Sequence, residues 1–416
     1  MWWLLLIAVE LVALGLRLKA RSIRVRRVAI LRLVTAGLFL VAVSSGVIEW
    51  GLRCVPVAVW LVLSAAFAIR TLLATEPAHA APERRGRIVL RSVGTLTVTC
   101  VVLLPAILFP PYEPIEPSGP LAVRTVVIDV DVQAEGTGRS ERRVVPVEIW
   151  YPAESRGSFP LVTFSHGAFG TRSSNRSMYA DLASNGYVVA ALDHPGHALF
   201  STDSHGGRDW IDSTYARALM AEDARRDPVG SLRLYREWMG TRVADLDAVI
   251  DHILTQSAKQ SARVPYRLVD GNSVGAIGHS LGGSAALALG RARSDIDVVV
   301  ALEAPFMGDI DDVERGRFTW NPTPYPAALL MVYSDGIWDH LDEWPQYERN
   351  VEMLADPPAG VTNVHLTGVG HLGLTDLSLA SPILTRILDG GPQAVPARKA
   401  LKRLNRICLR FLDRHL

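Results

Sequence analysis

Val274 to Leu289, VGAIGHSLGGSAALAL, constrains this chain more than any other stretch. A short apolar run reads as a buried strand, and the small-residue run from Ser284 to Leu289 reads as a helix. Gly278-His279-Ser280-Leu281-Gly282-Gly283 joins them. A strand that turns this sharply into a helix carries the corner serine clear of the backbone, and the glycines let the two elements approach closely. The stretch is therefore a nucleophile elbow, with Ser280 as the candidate nucleophile.

The residues after Phe109 supply a sheet for that elbow. Val123 to Val132 and Arg143 to Tyr151 alternate apolar and polar positions around Gly136 and Gly138, which predicts an antiparallel pair. Leu161–Phe164, Tyr187–Leu192, Ile296–Leu302, Ala327–Tyr333 and Val361–Leu366 are short apolar runs suited to buried parallel strands. Helical stretches around Met178 to Ser184 and Val243 to Ile253 alternate with them. The pattern specifies an α/β sheet with helices on both faces, and active residues of such sheets lie in loops beyond the carboxyl ends of the strands.

A serine needs an adjacent base, which a histidine near neutrality supplies. Among the 11 histidines, His371 lies in a glycine-rich loop after the last expected strand, late in the chain as hydrolase order requires. His415 falls in the final helix and His365 within a strand. A carboxylate must orient the imidazole. Glu303 ends one strand and Asp335 the next; the reading favours Glu303, with Asp335 and Asp339 as alternatives. The developing oxyanion needs two backbone donors. One is the Leu281 amide; the other is expected from Ser165-His166-Gly167-Ala168-Phe169-Gly170, at Ala168, with His166 bracing the loop.

Several stretches together resemble the secreted platelet-activating factor acetylhydrolases and their bacterial relatives, from about Phe159 to Leu416. They are FPLVTFSHGAFGTRSSN, DLASNGYVVAALDH, GAIGHSLGG, VVALEAP, VHLTGVGHLGLTDL and the closing FLDRHL. The resemblance implies an α/β-hydrolase fold and a serine esterase without a cofactor, acting on short-chain or oxidised acyl esters, including those of phospholipids. It implies a catalytic Ser280, His371 and acid, with oxyanion donors Ala168 and Leu281. The family's acid lies in Ala-Leu-Asp-Ala; Ala301-Leu302-Glu303-Ala304 matches it with glutamate for aspartate.

The first quarter of the chain lies outside that resemblance. An apolar fraction of 49% in 416 residues and a mean hydropathy of +0.19 exceed what an ordinary soluble enzyme carries, and the excess is N-terminal. Apolar segments at Trp2–Leu16, Val28–Ile48, Val55–Leu73 and roughly Ile88–Phe109 predict a transmembrane region of about four helices over 1–109; about 20 residues cross a bilayer core. Met1-Trp2-Trp3 offers no basic leader, so the first segment reads as a retained helix. Glu10 and Arg32 within these segments are expected to pair.

Basic residues Arg17, Lys19, Arg21, Arg24, Arg26 and Arg27 follow the first segment, and Arg70, Arg84, Arg85, Arg87 and Arg91 surround the third connection. The positive-inside rule puts both loops in the cytoplasm and the catalytic domain on the extracytoplasmic side of a multi-pass cell-membrane protein, a parity that reverses if the first segment does not span.

Proline-rich residues 110–120 form the expected linker and 121–416 the catalytic domain, with a lid insertion at about 194–240 whose Phe200, Trp210, Tyr215, Leu219 and Met220 are candidate pocket residues. The basic, amphipathic end from Arg398 reads as the last core helix.

A formal charge of +1, from 43 basic and 42 acidic residues, argues against nucleic acid as a partner. Cys54, Cys100 and Cys408 are too scattered for a disulfide framework or zinc site, and His194 and His197 beside Asp193 lack the helical face of a metal pair. An acyltransferase using the same residues, and a membrane sensor or transporter with a non-catalytic hydrolase-like domain, are the rival readings. Acyl length, natural substrate and oligomeric state are not legible.

Overall fold

The computed structural model describes residues 2–18, 23–74, 85–133, 142–153 and 156–416. The expected glycine turn at 136–138 and the basic residues Lys19, Arg21 and Arg84 lie outside them. The chain divides into two compact units, Met1–Glu113 with Ala380–Leu384, and Pro114–Leu379 with Thr385–Leu416.

In the first unit, long apolar runs form helices α1 (Trp3–Leu18), α2 (Ile23–Ser44), α3 (Val55–Leu73) and α4 (Arg85–Leu108). Leu6, Val57, Leu61 and Leu103 pack at its centre, whereas Leu5, Leu38, Leu40, Val62 and Leu90 are exposed. An apolar outer surface suits hydrocarbon rather than water. Three stretches, Arg26–Ser44, Leu52–Leu73 and Gly86–Leu108, are long and apolar enough to cross a membrane; Trp3–Leu16 is shorter. Buried Glu10 and Arg32 form an ion pair at 3.2 Å, as expected from the cost of leaving either charge alone in an apolar bundle.

The second unit is built on eight strands: β1 (Val123–Gln133), β2 (Arg142–Pro152), β3 (Phe159–Ser165), β4 (Val188–Leu192), β5 (Val269–His279), β6 (Val298–Leu302), β7 (Ala328–Ser334) and β8 (Val361–Leu366). Their spatial order is β1-β2-β4-β3-β5-β6-β7-β8. β1 pairs with β2, and β2 with β4, antiparallel; the other neighbours run parallel. This mostly parallel sheet flanked by helices is the α/β-hydrolase architecture.

Alternation along the strands divides the core in two. On β6, Val299 and Ala301 face one layer and Val298, Val300 and Leu302 the other; on β7, Leu329, Met331 and Tyr333 oppose Leu330 and Val332. After β3 comes helix α5 (Arg176–Ser184), and after β4 come α6 (Ser213–Ala221) and α7 (Pro228–Ser257). Helix α8 (Leu281–Ala292) follows the elbow. The C-terminal helix, Ala397–His415, buries Leu401, Leu404, Cys408 and Phe411, so its apolar stripe is core. Burial of each such leucine stabilises the fold by about 1.5–3 kcal/mol.

The second half of the proline-rich stretch is docked: Ile115 is buried, and the Ser118 and Gly119 amides donate to Asp181 Oδ1 at 2.6 Å and Ser184 Oγ at 3.0 Å. The end of the insertion differs from the sequence expectation. Residue 240, the expected end of the insertion, falls inside α7. Gly240 costs a helix only about 1 kcal/mol relative to alanine, which the buried Leu232, Tyr235, Trp238, Leu246 and Val249 outweigh. Of the expected pocket residues, Tyr215 is buried and Leu219 partly so, while Phe200, Trp210 and Met220 are exposed.

Candidate active site

The elbow is a place of deliberate strain. Ser280, between β5 and α8, sits at φ 54° and ψ −125°, a conformation that costs an L-residue on the order of 1–3 kcal/mol. Close packing enforces it. An ideal Cβ on Gly282 would lie 2.1 Å from the Ser165 carbonyl oxygen and 2.4 Å from that of His166, so only glycine lets α8 start this near the end of β3. The Ser280 amide donates to Leu302 O at 2.8 Å, which ties the corner to the strand that delivers the next candidate residue.

Glu303 follows β6 directly, is 2% exposed and also has positive φ, 51°. Its two carboxylate oxygens have separate duties. Oε1 lies 2.6 Å from His371 Nδ1, and Oε2 accepts the Ser334 amide at 2.7 Å. A carboxylate only accepts, so Nδ1 of the neutral imidazole carries the proton and the lone pair is left on Nε2, the arrangement a general base requires.

Burial pushes the His371 imidazole toward lower pKa, but the charge and hydrogen bond of Glu303, joined by the charge of Asp389, outweigh it and hold the group above the ordinary histidine value. Burial likewise raises Glu303, yet His371 and the Ser334 bond leave its carboxyl below the usual range.

Asp335 is engaged elsewhere. Its Oδ1 lies 2.7 Å from His365 Nε2 and its Oδ2 accepts the Gly368 amide at 2.7 Å, while the His365 ring stacks on Trp338. Asp339 is exposed at the end of a short helical turn. The structure thus brings Glu303, and neither aspartate, to His371.

Leu281 is the first residue of α8, where amides have no acceptor within the helix and point outward past the helix start. Ala168 lies on the turn after β3, closed by Gly170 N to Gly167 O at 3.1 Å. This turn borders the elbow, since an ideal Cβ on Gly167 would stand 3.3 Å from Ser280 Cβ and 2.8 Å from His279 Nδ1.

His194 and His197 lie on the loop after β4. His194 bridges Ser165 Oγ and Asp245 Oδ2, and the His197 ring stacks on Tyr215 at 3.8 Å.

Three supporting residues escaped the sequence reading. His279, immediately before the serine, has its Nε2 3.1 Å from the His371 carbonyl and its ring 4.6 Å from the His371 ring. Burial, followed by the charge of His371, pushes it down to about 3, so it stays neutral and can donate through Nε2. Asp389 accepts the Leu372 amide at 3.0 Å, and Ser334 holds Glu303 through its backbone. Only His279 had a local signal, its place inside the elbow; a backbone donor leaves no mark in residue type.

The profile of a family described as platelet-activating factor acetylhydrolase, isoform II, matches residues 140–207. Platelet-activating factor acetylhydrolase of Canis lupus familiaris is 20% identical over 283 residues, 64% of this chain and 59% of that protein. The Cavia porcellus protein of the same name is 22% identical over 290 residues, 65% of this chain and 61% of its own. The chain therefore spans about three fifths of the length of these relatives. Among solved structures, a ferulic acid esterase from Streptomyces cinnamoneus superposes with a TM-score of 0.51 at 20% identity, covering 72% of this chain and 92% of that one, a likeness of fold.

Proposed function

From the similarity to the platelet-activating factor acetylhydrolases, we propose that the chain is a membrane-anchored serine ester hydrolase that cleaves short-chain or oxidised acyl esters, including those on phospholipids, through an acyl-enzyme. The observation that carries this reading is the His371 Nδ1 to Glu303 Oε1 bond of 2.6 Å at the strand ends beside the strained Ser280 corner. Ser280 Oγ attacks the ester carbonyl as His371 Nε2 takes its proton. The oxyanion of the tetrahedral intermediate is held by the Ala168 and Leu281 amides. His371 returns the proton to the leaving alcohol, and water then repeats the sequence on the acyl-enzyme, releasing the acid and restoring Ser280. Glu303 keeps the imidazole in the Nδ1–H tautomer and stabilises it when charged.

The apolar N-terminal helices support anchoring, and the distribution of basic residues supports an extracytoplasmic catalytic unit. A graded series of acyl esters tests both points. The full chain in sealed right-side-out vesicles is expected to hydrolyse an impermeant acetyl or butyryl ester without lysis, and faster than a palmitoyl ester. Preference for the long chain would overturn the substrate class; activity that appears only after detergent would reverse the sidedness.

The pH profile follows from the His371–Glu303 pair. Protonated His371 cannot accept the serine proton, so kcat/KM falls as pH falls through its pKa, and the acidic limb of the wild type is expected above 6.5 because Glu303 raises that group. Glu303→Gln removes the charge and should move the limb of the residual activity to lower pH. An unmoved limb would show that another group controls it.

A further inference from the structure

We propose that His166 is a positioning residue that aims the Ala168 amide, acting through the peptide unit between Gly167 and Ala168. The inference rests on the esterase reading, in which that amide binds the oxyanion.

His166 is wholly buried just beyond β3. Its Nδ1 lies 2.7 Å from Gly167 O and its Nε2 is 3.3 Å from the His194 amide nitrogen. An amide N–H can only donate, so Nε2 is the acceptor, the ring proton is on Nδ1, and Nδ1–H donates to Gly167 O. The carbonyl of Gly167 and the N–H of Ala168 belong to one planar unit, and in a trans peptide they point in opposite directions. Gly167 O is gripped from one side by His166 Nδ1 and by Gly170 N at 3.1 Å. Fixing the oxygen fixes the opposing N–H, on a turn that borders Ser280.

His166 is itself held from behind. Arg242 Nη1 of α7, fully buried, donates to the His166 carbonyl at 2.6 Å. The His194 imidazole spans Ser165 Oγ at 2.8 Å and Asp245 Oδ2 at 2.9 Å, and Arg143 forms an ion pair with Asp245. Ser165, His194 and Asp245 thus repeat the connectivity of a catalytic triad, yet all three are inaccessible and none can meet a substrate. Their effect is to immobilise His194, whose backbone amide selects the His166 tautomer. The buried network is therefore a support for one peptide plane, in keeping with the need for oxyanion donors to be set before the charge develops.

Two substitutions separate aiming from mere filling. The amide nitrogen of an asparagine side chain takes the place of Nδ1, while that of glutamine takes the place of Nε2. In the full chain, His166→Asn is expected to stay within about tenfold of wild-type kcat on p-nitrophenyl acetate, while His166→Gln loses about 100-fold with KM changed less than threefold. Rates are taken per active site, titrated with a fluorophosphonate. If the glutamine variant does not fold, His166→Leu, which also lacks the donor, is measured in its place with the same loss expected. Equal losses in the donor-retaining and donor-lacking variants, unchanged kcat in the latter, or a defect confined to KM would each overturn the proposal. Ser280→Ala in the same assay isolates its premise: turnover surviving there sinks the esterase reading, whereas a dead Ser280→Ala beside an unimpaired donor-lacking variant sinks this inference alone.

Discussion

Ser280→Ala is expected to lower kcat for ester hydrolysis by about 10⁴- to 10⁶-fold, leaving only what binding and the oxyanion donors provide over water. The size of the effect comes from the chemistry. Alanine removes the atom that forms the acyl bond, and His371 is left with no hydroxyl to deprotonate. Fold should survive, because Ser280 contributes to packing through its backbone bond to Leu302 O, which alanine keeps. Alanine must also accept φ 54°, as serine does, so the strain of the corner is little changed. A fluorophosphonate should label the wild type and not the variant. Labelling that persists at the same site count would assign the nucleophile to another residue.

Glu303→Ala is expected to cost about 10⁴-fold in kcat, and Asp335→Ala no more than a few-fold. The asymmetry follows from partners. Loss of the Glu303 carboxylate frees Nδ1 of His371 and leaves the Ser334 amide without its acceptor, so the imidazole loses both its tautomer and its orientation. Asp335 instead bonds His365 and the Gly368 amide, and its removal disturbs a loop anchor at a half-exposed position. Steady-state kinetics on both variants decides between them. If only Asp335→Ala abolishes turnover, the acid has been misassigned.

The contrast between these two acids shows what a sequence can and cannot specify. Both end an apolar strand, and on residue type alone aspartate is the commoner partner of a triad histidine, so strand position left both in play. The reading of the residues favoured Glu303, because the position two residues beyond Asp335 is Ile337, and the match of Ala301-Leu302-Glu303-Ala304 to a family stretch added to it. The distance of 2.6 Å to His371 comes from the register of β6 against β7 and the course of the loop after β8. The elbow was more legible because its constraint is local: serine flanked by small residues between an apolar run and a helix admits few backbone paths. The strands were legible for the same reason, since a period of two is written in neighbouring residues. The insertion boundary at 240 was not, because the helix from Pro228 to Ser257 is held by contacts with distant strands rather than by a cap or breaker near that point.

The buried network behind His166 belongs wholly to the tertiary level. Arg143, Ser165, His194, Arg242 and Asp245 come from β2, β3, the loop after β4 and α7, and no spacing between them carries a signal. By itself the sequence determined the alternating elements, the apolar N-terminal helices, the serine corner and the late histidine loop, because each depends on residues close together in the chain. Only the folded chain decided which carboxylate meets His371, which side chains hold His166 from behind, and which way one peptide faces. Those outcomes depend on distances of a few ångströms between segments up to about a hundred residues apart, fixed by the packing of the sheet.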